Sequence, residues 1–291
     1  MSRISGRAIL AGVVGQPIGH SLSPAIHNGW LDAAGIDGTY AAFGPKDAEG
    51  FDALLNAGRA GLIAGVNVTA PFKEQAFAAC DRVSEAARLV KSANILVFKD
   101  GQIHGDSSDG RGVINALSEQ ALALELNGAK VVLLGAGGAS RAAAGALVTA
   151  GAKVSVLNRT KERAQALADD LGGLVTVAHS EAETYDADLV INALSVPPTY
   201  EVRRLMPTAV VMDMTYKPLI TPFLQSGRDH GLTVVDGLAM LIGQAIPSFE
   251  AFFGQTPPSI DIRSTIPSTI TSTPKALAIS ATASPPLAYR R

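Results

Sequence analysis

The stretch Lys130-Val131-Val132-Leu133-Leu134-Gly135-Ala136-Gly137-Gly138-Ala139-Ser140-Arg141-Ala142 decides the fold. The apolar run ending at Leu134 reads as a buried strand, Gly135 as a tight turn, and the alanine-rich segment from Ser140 as a helix. Gly137 lets a backbone approach a pyrophosphate, and the helix N-terminus offers unpaired N–H groups and the positive end of the helix dipole. Ser140 stands where a third glycine is usual and is small enough for the same close packing. A glycine pattern alone is weak evidence. Here it follows a strand and opens a helix, the context that dinucleotide binding requires.

The next strand ends in Asn158-Arg159-Thr160, with Lys161 and Arg163 just beyond. A site for NAD places a carboxylate here to hold the ribose 2′-hydroxyl. A carboxylate repels a 2′-phosphate, whereas a guanidinium grips it as a fork, so this segment predicts NADP. The plain alternative is a solvated arginine at a helix start, but a cation there opposes the helix dipole.

Strand and helix patterns alternate outward from this unit. Strands are predicted at 8–14, 39–43, 63–68 and 95–99, with helices at 24–34, 48–58 and 71–80. The second half repeats the pattern, with strands at 130–134, 153–158, 189–192, 210–213 and 233–236. Its helices are at 140–150 and 161–171, a long helix at 109–127 joins the halves, and another follows at 239–253. Such alternation argues for an α/β chain of parallel sheets covered by helices. From about residue 257 the chain turns rich in Thr, Ser, Pro and Ala, which reads as a flexible extension.

Of the 291 residues 47% are hydrophobic and 17% charged, enough for a sizeable core. The net charge of −2 supplies no field for nucleic acid or an anionic membrane. No segment approaches membrane-spanning length, and residues 8–14 are short for a signal sequence, so the expected location is the cytoplasm. The single cysteine, Cys80, makes neither an intrachain disulfide nor a metal site.

Two helix starts in the first half suit a small anionic substrate. In Gly19-His20-Ser21-Leu22-Ser23-Pro24, two hydroxyls beside a helix N-terminus suit a carboxylate, though Ser23 also reads as a plain N-cap. In Asn67-Val68-Thr69-Ala70-Pro71-Phe72-Lys73, the lysine falls in a helix's first turn, where the dipole disfavours a cation. That placement suits proton transfer, against the alternative of a snorkelling surface lysine. Asp109, after Ser107 and Ser108, reads by itself as a helix cap.

Taken in order, these segments resemble the shikimate dehydrogenase family. The resemblance runs over residues 8–255 and rests on 15–28, 67–74, Ser92-Ala93-Asn94, Asp109-Gly110, 135–139, Asn158-Arg159-Thr160, 213–218, 221–224, Met240-Leu241 and Gln244. It implies an N-terminal α/β substrate domain (1–110, completed by a helix at 238–256), a Rossmann-type NADP domain (111–237) and a cleft between them. The implied reaction is reversible reduction of 3-dehydroshikimate to shikimate, without a metal, by a monomer or homodimer.

Carried over by motif, Lys73 and Asp109 are the catalytic pair. Ser21 and Ser23 hold the substrate carboxylate, Thr69, Asn94, Asp109 and Gln244 the ring hydroxyls, Tyr216 lies near substrate and nicotinamide, and Asn67 supports the loop. Gly135, Ala136, Gly137, Gly138, Ala139, Asn158, Arg159, Thr160, Arg163, Met214 and Gly237 hold the cofactor. The chain departs from the family pattern at Ile95, Ser107 and Leu194. The departures at Ile95 and Ser107 motivate an alternative substrate such as quinate or aminoshikimate. A non-catalytic metabolite sensor is a further alternative, against which the retained Lys73 and Asp109 argue.

Overall fold

Twelve strands fall into two six-stranded sheets in the computed structural model, which describes residues 4–194 and 196–266. The first sheet holds β1 (Ile9–Val14), β2 (Gly38–Phe43), β3 (Gly65–Val68), β4 (Arg82–Val83), β5 (Ile95–Lys99) and β6 (Gln102–Asp106), in the order β2-β1-β3-β5-β6-β4. The second holds β7 (Lys130–Leu134), β8 (Lys153–Leu157), β9 (Val175–Val177), β10 (Leu189–Asn192), β11 (Val210–Asp213) and β12 (Thr233–Val235), in the order β12-β11-β10-β7-β8-β9. The helices are α1 (Ser23–Ala34), α2 (Ala48–Arg59), α3 (Lys73–Ala79), α4 (Glu85–Val90), α5 (Asp109–Gln120), α6 (Gly138–Thr149), α7 (Lys161–Asp170), α8 (Pro222–Asp229) and α9 (Gly237–Phe253).

Every pairing in the second sheet is parallel. Its order runs outward from β7 in both directions. The crevice beside the carboxyl end of β7 is therefore the switch point at which such sheets bind nucleotides. Gly135 sits there with φ +111°, and an added Cβ would lie 2.9 Å from Leu194 Cδ2. Only glycine meets both conditions without strain.

The first sheet departs from the all-parallel expectation. β1 pairs in parallel with β2 and β3, but β5 runs antiparallel to both β3 and β6. Asp100 and Gly101, with φ of 51° and 74°, make the two-residue turn between β5 and β6. An Asp-Gly pair is the sequence signal for such a hairpin. The polar run of β6 hid the strand, although this turn was visible.

α5 ends at Gln120 rather than near 127, and the chain then crosses to β7 through Gly128 at φ +84°. α9 belongs to two cores. Its Ala239 and Met240 join the core of the second sheet, whereas Leu238, Ala245, Phe249, Phe252 and Phe253 pack with Trp30 and Tyr40 under the first. Burying several large side chains, each contributing roughly 1.5–3 kcal/mol, anchors this helix as a shared beam between the halves.

The extension expected from residue 257 is corrected in its first ten residues. Residues Ile262–Thr265 form a single 3-10 turn against α1, and Ile262 and Ile266 are buried in the first core. Arg263 reaches Asp236 and Glu119, each at 3.3 Å. The remainder of the expected extension, 267–291, lies outside the described residues. No helix among the described residues is long and apolar enough to cross a membrane.

Candidate active site

A pocket of about 140 Å³ opens between the N-terminus of α1, the end of β3, α5 and α9. Ser21, Ser23, Asn67, Thr69, Lys73, Asn94, Asp109, Tyr216 and Gln244 all line it, as do Ile18, His20 and Leu241. The capping alternative for Ser23 fails. Leu22 holds the N-cap position, α1 has no side-chain cap, and the Ser21 hydroxyl accepts the Ser23 N–H at 3.3 Å. Both serine hydroxyls therefore remain at the pocket wall beside a twelve-residue helix's unpaired N–H groups.

Asn94 is the hub of the polar wall. Its Nδ2 donates to Asp109 Oδ1 at 2.7 Å and lies 3.0 Å from Gln244 Oε1, while its Oδ1 accepts from the Ser108 N–H at 2.8 Å. Asp109 uses its other oxygen to hold the Lys73 ammonium. Lys73 is the first residue of α3, two residues later than the predicted helix start, and Asp109 is the first of α5. Asp109 is thus an ion-pair partner, and α5 carries no side-chain cap. Tyr216 is half-buried, and burial pushes its phenol above the ordinary range, which keeps it neutral.

A second, larger cleft of about 850 Å³ runs between the halves. Ala136, Gly137, Gly138 and Ala139 form one wall and Thr69, Pro71, Lys73 and Glu74 the other. Thr69 and Lys73 line both cavities, so the cleft and the pocket meet at these side chains. Lys91 of the first half meets Asp170 of the second at 2.7 Å, and Arg141 holds the other Asp170 oxygen. Together they draw the Asp170 carboxyl down to about 2.

The glycine turn fits a dinucleotide. A Cβ added at Gly137 or Gly138 would meet nothing within 4 Å, so this backbone faces open space at the start of α6. Asn158, Arg159, Thr160 and Arg163 stand at the end of β8 and the start of α7, away from both cavities. Asn158 Nδ2 donates to the Thr160 carbonyl at 2.7 Å, which shapes the turn. Arg159 and Arg163 are exposed, and neither meets a carboxylate among the described residues. Met214 follows β11, and Gly237 opens α9 with its α-carbon so close to Met214 that an added Cβ would sit 2.6 Å from the Met214 carbonyl oxygen.

Two family models match the chain. "Shikimate dehydrogenase substrate binding domain" covers residues 13–96, and "Shikimate / quinate 5-dehydrogenase" covers 116–220. The NADP(+) shikimate dehydrogenase of Caulobacter vibrioides is 47% identical over 272 residues, spanning 89% of this chain and 95% of that one.

The chain belongs to the shikimate dehydrogenase family.

Solved members of the family share its fold. The Thermus thermophilus shikimate 5-dehydrogenase in complex with NADP(H) and shikimate superposes with a TM-score of 0.81 at 34% identity, covering 88% of this chain and 98% of that one. The quinate dehydrogenase of Corynebacterium glutamicum in complex with NAD gives 0.81 at 31% identity, over 89% and 98%. The structure removes the sequence motive for a different substrate. Ile95 is buried in the first core and Ser107 lines a groove on the other side of α5, so neither touches the pocket. Leu194 packs over Gly135 at the cofactor turn.

Residues in the pocket wall and behind it escaped the sequence reading as individuals. His20 was visible in its motif but carried no distinct signal. Ser108 read only as part of a turn, yet its hydroxyl donates to the Gln244 carbonyl at 3.0 Å and ties α5 to α9. Leu241 stood in the Met240-Leu241 motif without an assigned role, and only the fold turns it towards the pocket.

Proposed function

We propose that this chain catalyses the reversible NADP-linked interconversion of 3-dehydroshikimate and shikimate. The observation that carries the reading is the junction of the two cavities at Lys73. The lysine is held by Asp109 and faces both the small polar pocket and the glycine-turn cleft.

The pocket sorts a small ring acid by its groups. Ser21 and Ser23 take the carboxylate beside the α1 N-terminus. Thr69, Asn94, Asp109 and Gln244 supply donors and acceptors for ring hydroxyls, and Asn67 holds the wall behind them. Lys73 gives a proton to the ring oxygen when the ketone is reduced and takes it back in the reverse direction. Its charge also stabilises the developing alkoxide, and Asp109 keeps the ammonium aimed at that oxygen. NADP, when bound, supplies or accepts the hydride. Gly135 to Ala139 and Gly237 give it close backbone approach, Met214 lines the neighbouring strand end, and Arg159 and Arg163 supply cations for a 2′-phosphate beside Asn158 and Thr160.

The reading places the reaction in the cytoplasm, with the protein as a monomer or homodimer, which gel filtration distinguishes. The decisive assay mixes the purified protein with NADP or NAD and either shikimate or quinate, and follows reduced-nicotinamide absorbance. Oxidation of shikimate with NADP is expected. Turnover of quinate alone, or none with either acid, overturns the reading.

A further inference from the structure

Tyr40 lies in the centre of β2, behind the pocket rather than in its lining, and is only 2% exposed. Its ring stacks flat on His27, with centroids 4.0 Å apart and planes 3° from parallel. A phenylalanine would pack this way equally well. The hydroxyl does something a phenylalanine cannot. It donates to Asn67 Oδ1 at 2.7 Å. Asn67 belongs to β3 and lines the pocket.

Asn67 is held at its other end too, where Nδ2 donates to the Asn94 carbonyl at 3.1 Å. The two bonds together fix which way the amide faces. Turned over, Asn67 would set its own oxygen against the Asn94 carbonyl oxygen, a repulsive pair in a buried site. With Tyr40 in place, one N–H of Asn67 goes to Asn94 and the second remains for the pocket. Without the phenol, Oδ1 loses its donor.

We propose that Tyr40 is a positioning residue for substrate binding, whose hydroxyl sets the Asn67 amide. The assignment rests on reading the pocket as the site of the ring acid. Burial holds the phenol protonated well beyond neutral pH, so it remains a donor under all working conditions. Because Tyr40 touches neither cavity, it acts on the KM of the acid and leaves the nicotinamide cofactor untouched.

The test is Tyr40→Phe in the full chain, with circular dichroism and thermal melting to establish that the variant is folded. KM for shikimate is expected to rise about 3- to 10-fold, the loss of one oriented hydrogen bond, while KM for NADP and kcat stay within about twofold. Asn67→Ala raises the same KM by itself, and the double variant should fall short of the product of the two single effects, since the phenol acts through that amide. A folded Tyr40→Phe protein with unchanged KM for shikimate overturns the inference. So does a double variant whose effects multiply in full together with an equal rise in KM for NADP, which marks a general loosening of the fold. If the parent itself oxidises no shikimate, the reading of the pocket fails instead, and the two failures are separable in one set of assays.

Discussion

Lys73 and Asp109 each begin a helix, and their side chains close an ion pair at the point where the small pocket opens into the inter-half cleft. Asp109 sits comfortably at the positive end of the α5 dipole, whereas Lys73 sits against that of α3. The lysine is held there by the carboxylate, and that arrangement keeps a proton donor facing a polar pocket.

Replacing Lys73 by Ala should lower kcat for shikimate oxidation by about 10²- to 10⁴-fold, the usual contribution of one positioned acid–base group. The variant should remain folded, because Lys73 is itself partly exposed and Asp109, though buried, keeps its bond to Asn94. Steady-state kinetics beside a melting curve check both. A variant as fast as the parent removes Lys73 from the chemistry.

Arg159→Ala should raise KM for NADP and leave KM for NAD unchanged. A charge-assisted bond to a phosphate contributes about 1.5–3 kcal/mol, so the preference for NADP should fall roughly 10- to 100-fold. Rising salt should weaken NADP binding to the parent more than to the variant. Equal effects on the two cofactors refute a 2′-phosphate contact.

His27 predicts an acid limb in the stability curve. Both ring nitrogens are buried without partners among the described residues, and burial drives its pKa from 6.5 down to about 3. Between those values the unfolded chain binds a proton that the folded chain refuses. Stability is therefore complete above pH 6.5 and falls as pH drops towards 3, by on the order of 5 kcal/mol over the full window. Urea titrations at stepped pH should show this slope, and His27→Phe should flatten it. An unchanged slope in the variant assigns the acid limb to other groups.

Gly112→Ala tests the joint between α5 and α9. An added Cβ would sit 2.7 Å from the Met240 carbonyl oxygen and 2.9 Å from Gln244 Cβ. Overpacking of this kind costs about 1–3 kcal/mol, and here it also pushes Gln244 from the Asn94 hub. Lower stability in urea should therefore accompany a raised KM for shikimate. Lost stability with unchanged KM would separate the helix joint from the site.

The second sheet was legible because its signals are local. The strand–glycine–helix run at 130–142 and the Asn158-Arg159-Thr160 turn each state their own geometry within a dozen residues, and parallel strands between helices follow from the alternation. The antiparallel β5–β6 hairpin was missed because β6 offers one large apolar residue, Ile103, among polar ones, and the docked turn at Ile262–Thr265 because Ile262 and Ile266 stand in a proline- and serine-rich context.

The sequence alone determined the family resemblance, the dinucleotide turn and the set of side chains able to meet a ring acid, since each depends on residue type and short spacing. The tertiary structure decided how those side chains are joined. It showed that Ser23 is not a cap, that Asp109 serves Lys73, that Asn94 gathers Asp109, Ser108 and Gln244, and that Ile95 and Ser107 face away from the pocket. The partners lie up to 150 residues apart. Only the packing of α5 and α9 across the two cores brings them within hydrogen-bond reach, and no local pattern encodes a contact of that range.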